Sequence, residues 1–222
     1  MKNFNFVFLF ALCALLFASG SAGAISVGDL QKKMSESDES LKTMTFEYTQ
    51  IMRSGIATEV RESSGVAYVK KPKMLRIEQR SPEEQFIVAD GKSVYIFTPR
   101  FHQVIRDSWD NWSSKNMLFP GMSGFSGAMS KLKNGYNWEV RGAADINGEK
   151  TIEVRLKSVS GTSENLSLWI SESDYMPRKA EFVDGTLTLS TTFVSVRRNP
   201  EIAQELFRFQ KPPDSEIIQM PK

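Results

Sequence analysis

The chain has 222 residues with 28 basic and 26 acidic side chains, one histidine and one cysteine. A formal charge of +2 leaves no basic footprint for nucleic acid, and a single histidine cannot be completed by a second into a metal centre. With 41% hydrophobic residues and no cysteine pair to bridge, any fold must rest on packing alone.

The first segment is a leader. Lys2 supplies a positive start, Phe4 to Ala18 is an almost unbroken apolar run, and Ala22-Gly23-Ala24 is a small-residue cleavage site. The run is short for a membrane span, so residues 1–24 are expected to be removed as a signal peptide, with the exported chain starting at Ile25. Cys13 lies inside this segment behind Leu12, where lipidation would need a small residue, so the exported chain carries no thiol. Lys2 is the only charged residue of the leader, which leaves 27 basic side chains, one fewer than in the full chain, against 26 acidic ones. Residues 25–222 have the length of one domain.

Val27, Leu30, Met34 and Leu41 fall near one face at helical spacing, and Ser26 with Asp29 forms a capping box, so an amphipathic helix is predicted first. A long strand follows, in which Met44, Phe46, Tyr48 and Met52 alternate with a largely polar set. Val66 to Lys70, Met74 to Gln79, Phe86 to Ala89 and Val94 to Thr98 read as four short strands of a meander. They are bounded by Lys71-Pro72, Ser81-Pro82 and Asp90-Gly91. Val94, Tyr95, Ile96 and Phe97 are apolar on both sides of the pleat, so this strand should be covered on both faces. The basic run Lys70, Lys71, Lys73, Arg76 and Arg80 reads as a solvated strand face or as a contact with an acidic surface.

The segment from Trp109 to Leu132 breaks the pattern. Met117, Leu118, Phe119, Met122, Phe125 and Met129 are apolar, while Pro120, Gly121, Gly124 and Gly127 interrupt any long helix. Unbranched methionines beside phenylalanines make a surface that repacks around varied ligands, and the same residues equally suit a plug over an open sheet. Strand alternation resumes at Trp138 and Val140, at Ile152, Val154 and Leu156, at Leu166, Leu168 and Ile170, and at Leu187, Leu189 and Phe193. Asn147-Gly148 and Asp184-Gly185 are hairpin turns among them.

Catalysis finds little support. His102 stands alone, GMSGF and GFSGA lack the glycine spacing of a nucleophile elbow, so Ser123 and Ser126 read as loop residues, and the adjacent Glu83 and Glu84 point to opposite faces of an extended chain. No enzyme, metal or cofactor is expected.

Four stretches together resemble the periplasmic outer-membrane lipoprotein carrier family, LolA. They are the first helix running into MTFEYTQIM, then GVAYVKKPKMLRIE, VADGKSVYIFTPRFHQV and the terminal ELFRFQKPPDSEIIQM. The resemblance implies a mainly β fold, an unclosed, curved antiparallel sheet or half-barrel of about a dozen strands with helices as a lid over an apolar concave face. It implies a monomeric periplasmic chaperone that takes acylated lipoproteins from an inner-membrane ABC transporter to an outer-membrane receptor lipoprotein. Alternation and resemblance together place Met44, Phe46, Tyr48, Leu75, Ile77, Phe86, Val88, Tyr95 and Phe97 on the acyl cavity, although the parity of the strand from Ser93 to Thr98 stays open. Met117, Leu118, Phe119, Met122, Phe125 and Met129 form the lid. The family's arginine before proline is here Lys71, which keeps the charge but loses the planar fork. It is either a looser lid latch or a solvated strand-end charge. A carrier of glycolipid or phospholipid, or a periplasmic sensor that binds a signalling protein, are the alternatives within the same fold.

Overall fold

A computed structural model describes residues 25–55, 59–115, 119, 128–161 and 165–220. Residues 1–24, expected as a leader, and four of the six expected lid residues, Met117, Leu118, Met122 and Phe125, lie outside this set, as do Ser123 and Ser126. Helix α1 spans Val27–Glu39 behind Ser26, whose hydroxyl oxygen accepts the Asp29 N–H at 3.1 Å, as the capping box predicts.

The strands then run β1 Thr43–Ser54, β2 Val60–Lys70, β3 Met74–Ser81, β4 Gln85–Asp90, β5 Ser93–Thr98 and β6 Gln103–Ser108. Helices α2 (Trp109–Lys115) and α3 (Ala128–Gly135) follow. The chain returns as β7 Tyr136–Ile146, β8 Glu149–Ser158, β9 Asn165–Ser171, β10 Pro177–Asp184 and β11 Leu187–Arg198, and ends in β12 Glu216–Gln219. All twelve form one sheet in the order β12-β6-β5-β4-β3-β2-β1-β11-β10-β9-β8-β7, antiparallel except where β12 runs parallel to β6. The sheet does not close, since β12 and β7 are its two edges. Register shifts at Thr45/Glu47, Ser64/Gly65, Val140/Gly142 and Pro177/Lys179 add local twist and bend, which curves the sheet.

This order dictates where the odd segment goes. β6 lies one strand from one edge and β7 is the other edge, so the connection through α2 and α3 has to cross the whole sheet. It crosses the concave face, where Trp109, Trp112, Phe119, Met129 and Leu132 join α1 residues Leu30 and Met34 in a single buried core.

The opposite face is covered as well. Val66, Val88, Val104 and Phe207 are buried yet stand apart from that core. Residues 200–215 run across this outer face, the Tyr95 and Phe209 rings stack at 4.6 Å, and Arg76 reaches the Leu206 carbonyl. Strand β5 is therefore covered on both sides, which is why its sequence is apolar at every position from Val94 to Phe97.

Candidate functional site

The concave face is built from alternate residues of neighbouring strands. Met44, Phe46 and Tyr48 of β1, Leu75 and Ile77 of β3, Ile87 and Ala89 of β4 and Val94 of β5 are all buried in the core, with Ile96 packed against it. The register defines the same face: Leu75 pairs with Ala89, Ile77 with Ile87, Ile87 with Ile96 and Ala89 with Val94.

Phe86, Val88, Tyr95 and Phe97 therefore require a correction. They pair with one another and with Glu78 and Arg76 on the outer face, and the Phe86 and Phe97 rings stack at 6.3 Å beneath the C-terminal segment. A strand's two faces are one residue apart, and two apolar faces carry no sign of which is which. The inward members of these strands are Ile87, Ala89, Val94 and Ile96.

At the centre of the concavity sits Phe119. Its ring lies 5.1 Å from Phe46, 4.9 Å from Tyr48 and 6.1 Å from Phe193, each pair edge-to-face, and Phe46 meets Phe193 at 5.5 Å. Burial here pushes the Tyr48 hydroxyl up to about 12. The Tyr48 hydroxyl also lies over Gly65, where a Cβ would stand 2.3 Å from the Glu78 carbonyl oxygen and 2.9 Å from the Tyr48 oxygen, so no larger residue fits. Met129, the other described lid residue, is buried in the same core. Phe193, Trp109, Trp112 and Leu132 belong to this site too. Alternation in β11 was the signal for Phe193, whereas the tryptophans are placed only by the turn of α2 back over β5 and β6.

Lys71 is not a solvated strand-end charge. Its ammonium donates to the Asp38 carbonyl and pairs with the Asp38 carboxylate at 3.0 Å, so it holds the C-terminal end of α1, while most of the segment it was expected to latch lies outside the described residues. Two other side chains do the same work. The Arg198 Nη2 donates to the Ser37 carbonyl at 2.9 Å and to the Ser40 hydroxyl at 2.8 Å, and the Asn199 amide donates to the Ser40 carbonyl at 3.1 Å. α1 has no basic residue in its own last turn, so strand-end side chains satisfy its free carbonyls and its negative pole.

The same helix docks on the turn between β9 and β10, where Ser37 donates to the Asp174 carbonyl at 2.7 Å. That turn is held by Arg178, a buried guanidinium that pairs with Glu149 at 2.6 Å and Asp174 at 3.0 Å. Burial opposes the Glu149 anion, but hydrogen bonds from Arg178 and Ser171 outweigh it and hold the carboxyl below its ordinary value. His102 is exposed at the end of a short turn after β5, and Glu83 faces Arg100 at 3.4 Å, both surface roles.

The fold is thus an open, curved sheet whose apolar hollow is filled by the chain's own crossing helices. The chain belongs to the family described as outer membrane lipoprotein carrier protein LolA, which matches residues 39–210. An outer-membrane lipoprotein carrier protein of Hahella chejuensis is 27% identical over 218 residues, covering 98% of each chain. Another, of Azotobacter vinelandii, is 27% identical over 179 residues, covering 80% of this chain and 82% of the relative. The fold resembles an uncharacterized conserved protein from Thermus thermophilus, with a TM-score of 0.55 at 15% identity over 88% of this chain and 100% of that one. It also resembles MucB, with a TM-score of 0.55 at 13% identity over 82% of this chain and 62% of that one.

Proposed function

We propose that this protein is a periplasmic carrier of acylated lipoproteins, which shields their acyl chains in the concave hollow during transit between the membranes. The observation that carries the reading is Phe119 seated among Phe46, Tyr48 and Phe193, an apolar filler supplied by the crossing segment itself. A buried methylene contributes about 0.8 kcal/mol, so a fully engulfed acyl chain would be held by roughly ten kcal/mol and leave slowly. Displacing the filler re-exposes apolar surface and offsets part of that gain, so net affinity is modest and cargo can move on.

Met44, Phe46, Tyr48, Leu75 and Ile77 line the acyl site, with Phe119 and Met129 as described parts of the lid. Direction comes from partners: an ATP-driven inner-membrane transporter loads the carrier, and an outer-membrane receptor with a better preformed site unloads it without ATP. The test is a photo-crosslinker at Phe46 offered an acylated lipoprotein and its unacylated mutant. Capture of the acylated form alone is expected, and equal capture of both would overturn the reading. Free phospholipid or glycolipid as the captured species would reassign the cargo within the same cavity.

A further inference from the structure

The two edges of the sheet are finished differently. At the β7 edge the concave face is sealed: the Trp138 indole donates to the Leu132 carbonyl of α3 at 3.1 Å, and Tyr136, Trp138 and Val140 pack against the core. At the β12 edge the inward row continues past α2, which turns back over β5 and β6, and onto β12. Ile96 of β5 pairs with Ile105 of β6, and Ile105 with Ile218 of β12, so the three side chains share the inner face. Met220 follows in the same parity, its N–H bonded to the Arg106 carbonyl at 2.9 Å, which leads the row toward the start of α2. Ile96 is packed against the core and Ile105 is half-buried, while Ile218 is 37% exposed and Met220 41% exposed. An apolar strip thus climbs out of the hollow and over one rim into solvent.

We propose that this strip, Ile105, Ile218 and Met220, is the threshold over which an acyl chain of the cargo enters and leaves, and on which its part nearest the headgroup rests. The proposal builds on the acyl-carrier reading above. The occupant follows from continuity: the row begins in the core that the filler occupies and has no break before the sheet edge, so a chain sliding along it never crosses a polar barrier. Polar contacts favour this rim as well. The opposite rim would have to give up the Trp138 to Leu132 hydrogen bond and the buried Met129 and Leu132 contacts to open, whereas at this rim α2 is held at the strand ends, by the Trp109 N–H on the Lys92 carbonyl at 2.9 Å and by Lys73 on Asp110 at 3.0 Å, and Ile218 and Met220 beyond it stay exposed. Ile217 gives an internal control, since it is 43% exposed but pairs with Val104 on the outer face.

The experiment places benzoylphenylalanine at positions 46, 217 and 218 of the full carrier and irradiates each with a synthetic diacylglyceryl-cysteine lipopeptide. Acyl-chain adducts are expected at 46 and 218 and not at 217. Adducts at 46 without 218 would overturn the threshold and leave the carrier reading intact. Equal adducts at 217 and 218 would overturn it as indiscriminate surface adhesion, and no adducts at 46 or 218 would overturn both. A second measurement needs no bulky probe: Ile218→Glu, at an exposed position, should leave the unfolding midpoint unchanged and lower lipopeptide affinity about tenfold, the weight of roughly two methylenes held out of water. Unchanged affinity would remove Ile218 from the path.

Discussion

α1 and the segment from α2 to α3 lie over the same apolar face, but they are held there by different forces. The end of α1 is tied by directed polar bonds from three separate side chains: Lys71 to Asp38, Arg198 to Ser37 and Ser40, and Asn199 to Ser40. The crossing segment is bonded to the sheet at its two ends, by the Trp109 N–H on the Lys92 carbonyl at 2.9 Å and the Trp138 indole on the Leu132 carbonyl at 3.1 Å, but between them Phe119 is seated by ring edges and apolar burial, and the Lys73 to Asp110 pair at 3.0 Å sits at the surface, where such pairs contribute little. Polar caps lose their energy if the helix shifts by a fraction of an ångström, whereas an apolar seat is indifferent to whether a side chain or an acyl chain fills it. One covering is a fixture, and the other is the one proposed to exchange with ligand.

The sharpest way to break this contrast is to empty the seat. Phe119→Ala should cost about 3 kcal/mol of stability in a urea melt while raising affinity for an acylated lipopeptide, because the same space becomes free. Affinity that falls together with stability would make Phe119 part of the ligand's own grip instead of its competitor.

The fixture should respond the other way. Arg198→Met should cost about 1–3 kcal/mol and speed amide exchange at the end of α1, with lipopeptide affinity unchanged. Lys71→Leu should do the same at about 1 kcal/mol, and Lys71→Arg should restore it, since either cation can donate to the Asp38 carbonyl. A change in lipopeptide release in the leucine variant would show that α1 opens too.

The smallest effect expected is electrostatic. The Glu149 carboxyl is held low in the folded chain, so its contribution is present above the ordinary carboxylate value, about 4.3, and is lost as pH falls through the lower folded value. Unfolding midpoints measured from about pH 6 to about pH 3 should decline, and Glu149→Gln should make that decline shallower. An identical slope in the variant would mean that the Arg178 cluster does not support the turn under α1.

Much of this was legible in the residues. The Ser26 and Asp29 cap, the alternation of Met44, Phe46 and Tyr48, and the hairpin at Asn147-Gly148 determined elements by local chemistry and are in place, while the hairpin read at Asp184-Gly185 turns one residue later, on Gly185 and Thr186, with Asp184 paired to Leu187. Both turn residues at Asn147-Gly148 take positive φ, the backbone that such a tight hairpin requires. Leu75 and Ile77 faced the core as read because their neighbours Arg76 and Glu78 are polar, so only one face could be buried.

In β4 and β5 the same reasoning had no purchase. Both faces of Val94 to Phe97 are apolar because two different layers cover them, and the second layer, the chain from 200 to 215, arrives from more than a hundred residues away. The partner of Lys71 was likewise beyond local reach, since a long cation at a strand end can meet any carbonyl the tertiary fold brings within about 3 Å. What the sequence determined by itself was the set of strands, the first helix and the presence of an apolar filler. Only the tertiary structure decided which face is the hollow and what ties down the end of α1, because each depends on what packs against an element and not on the element itself.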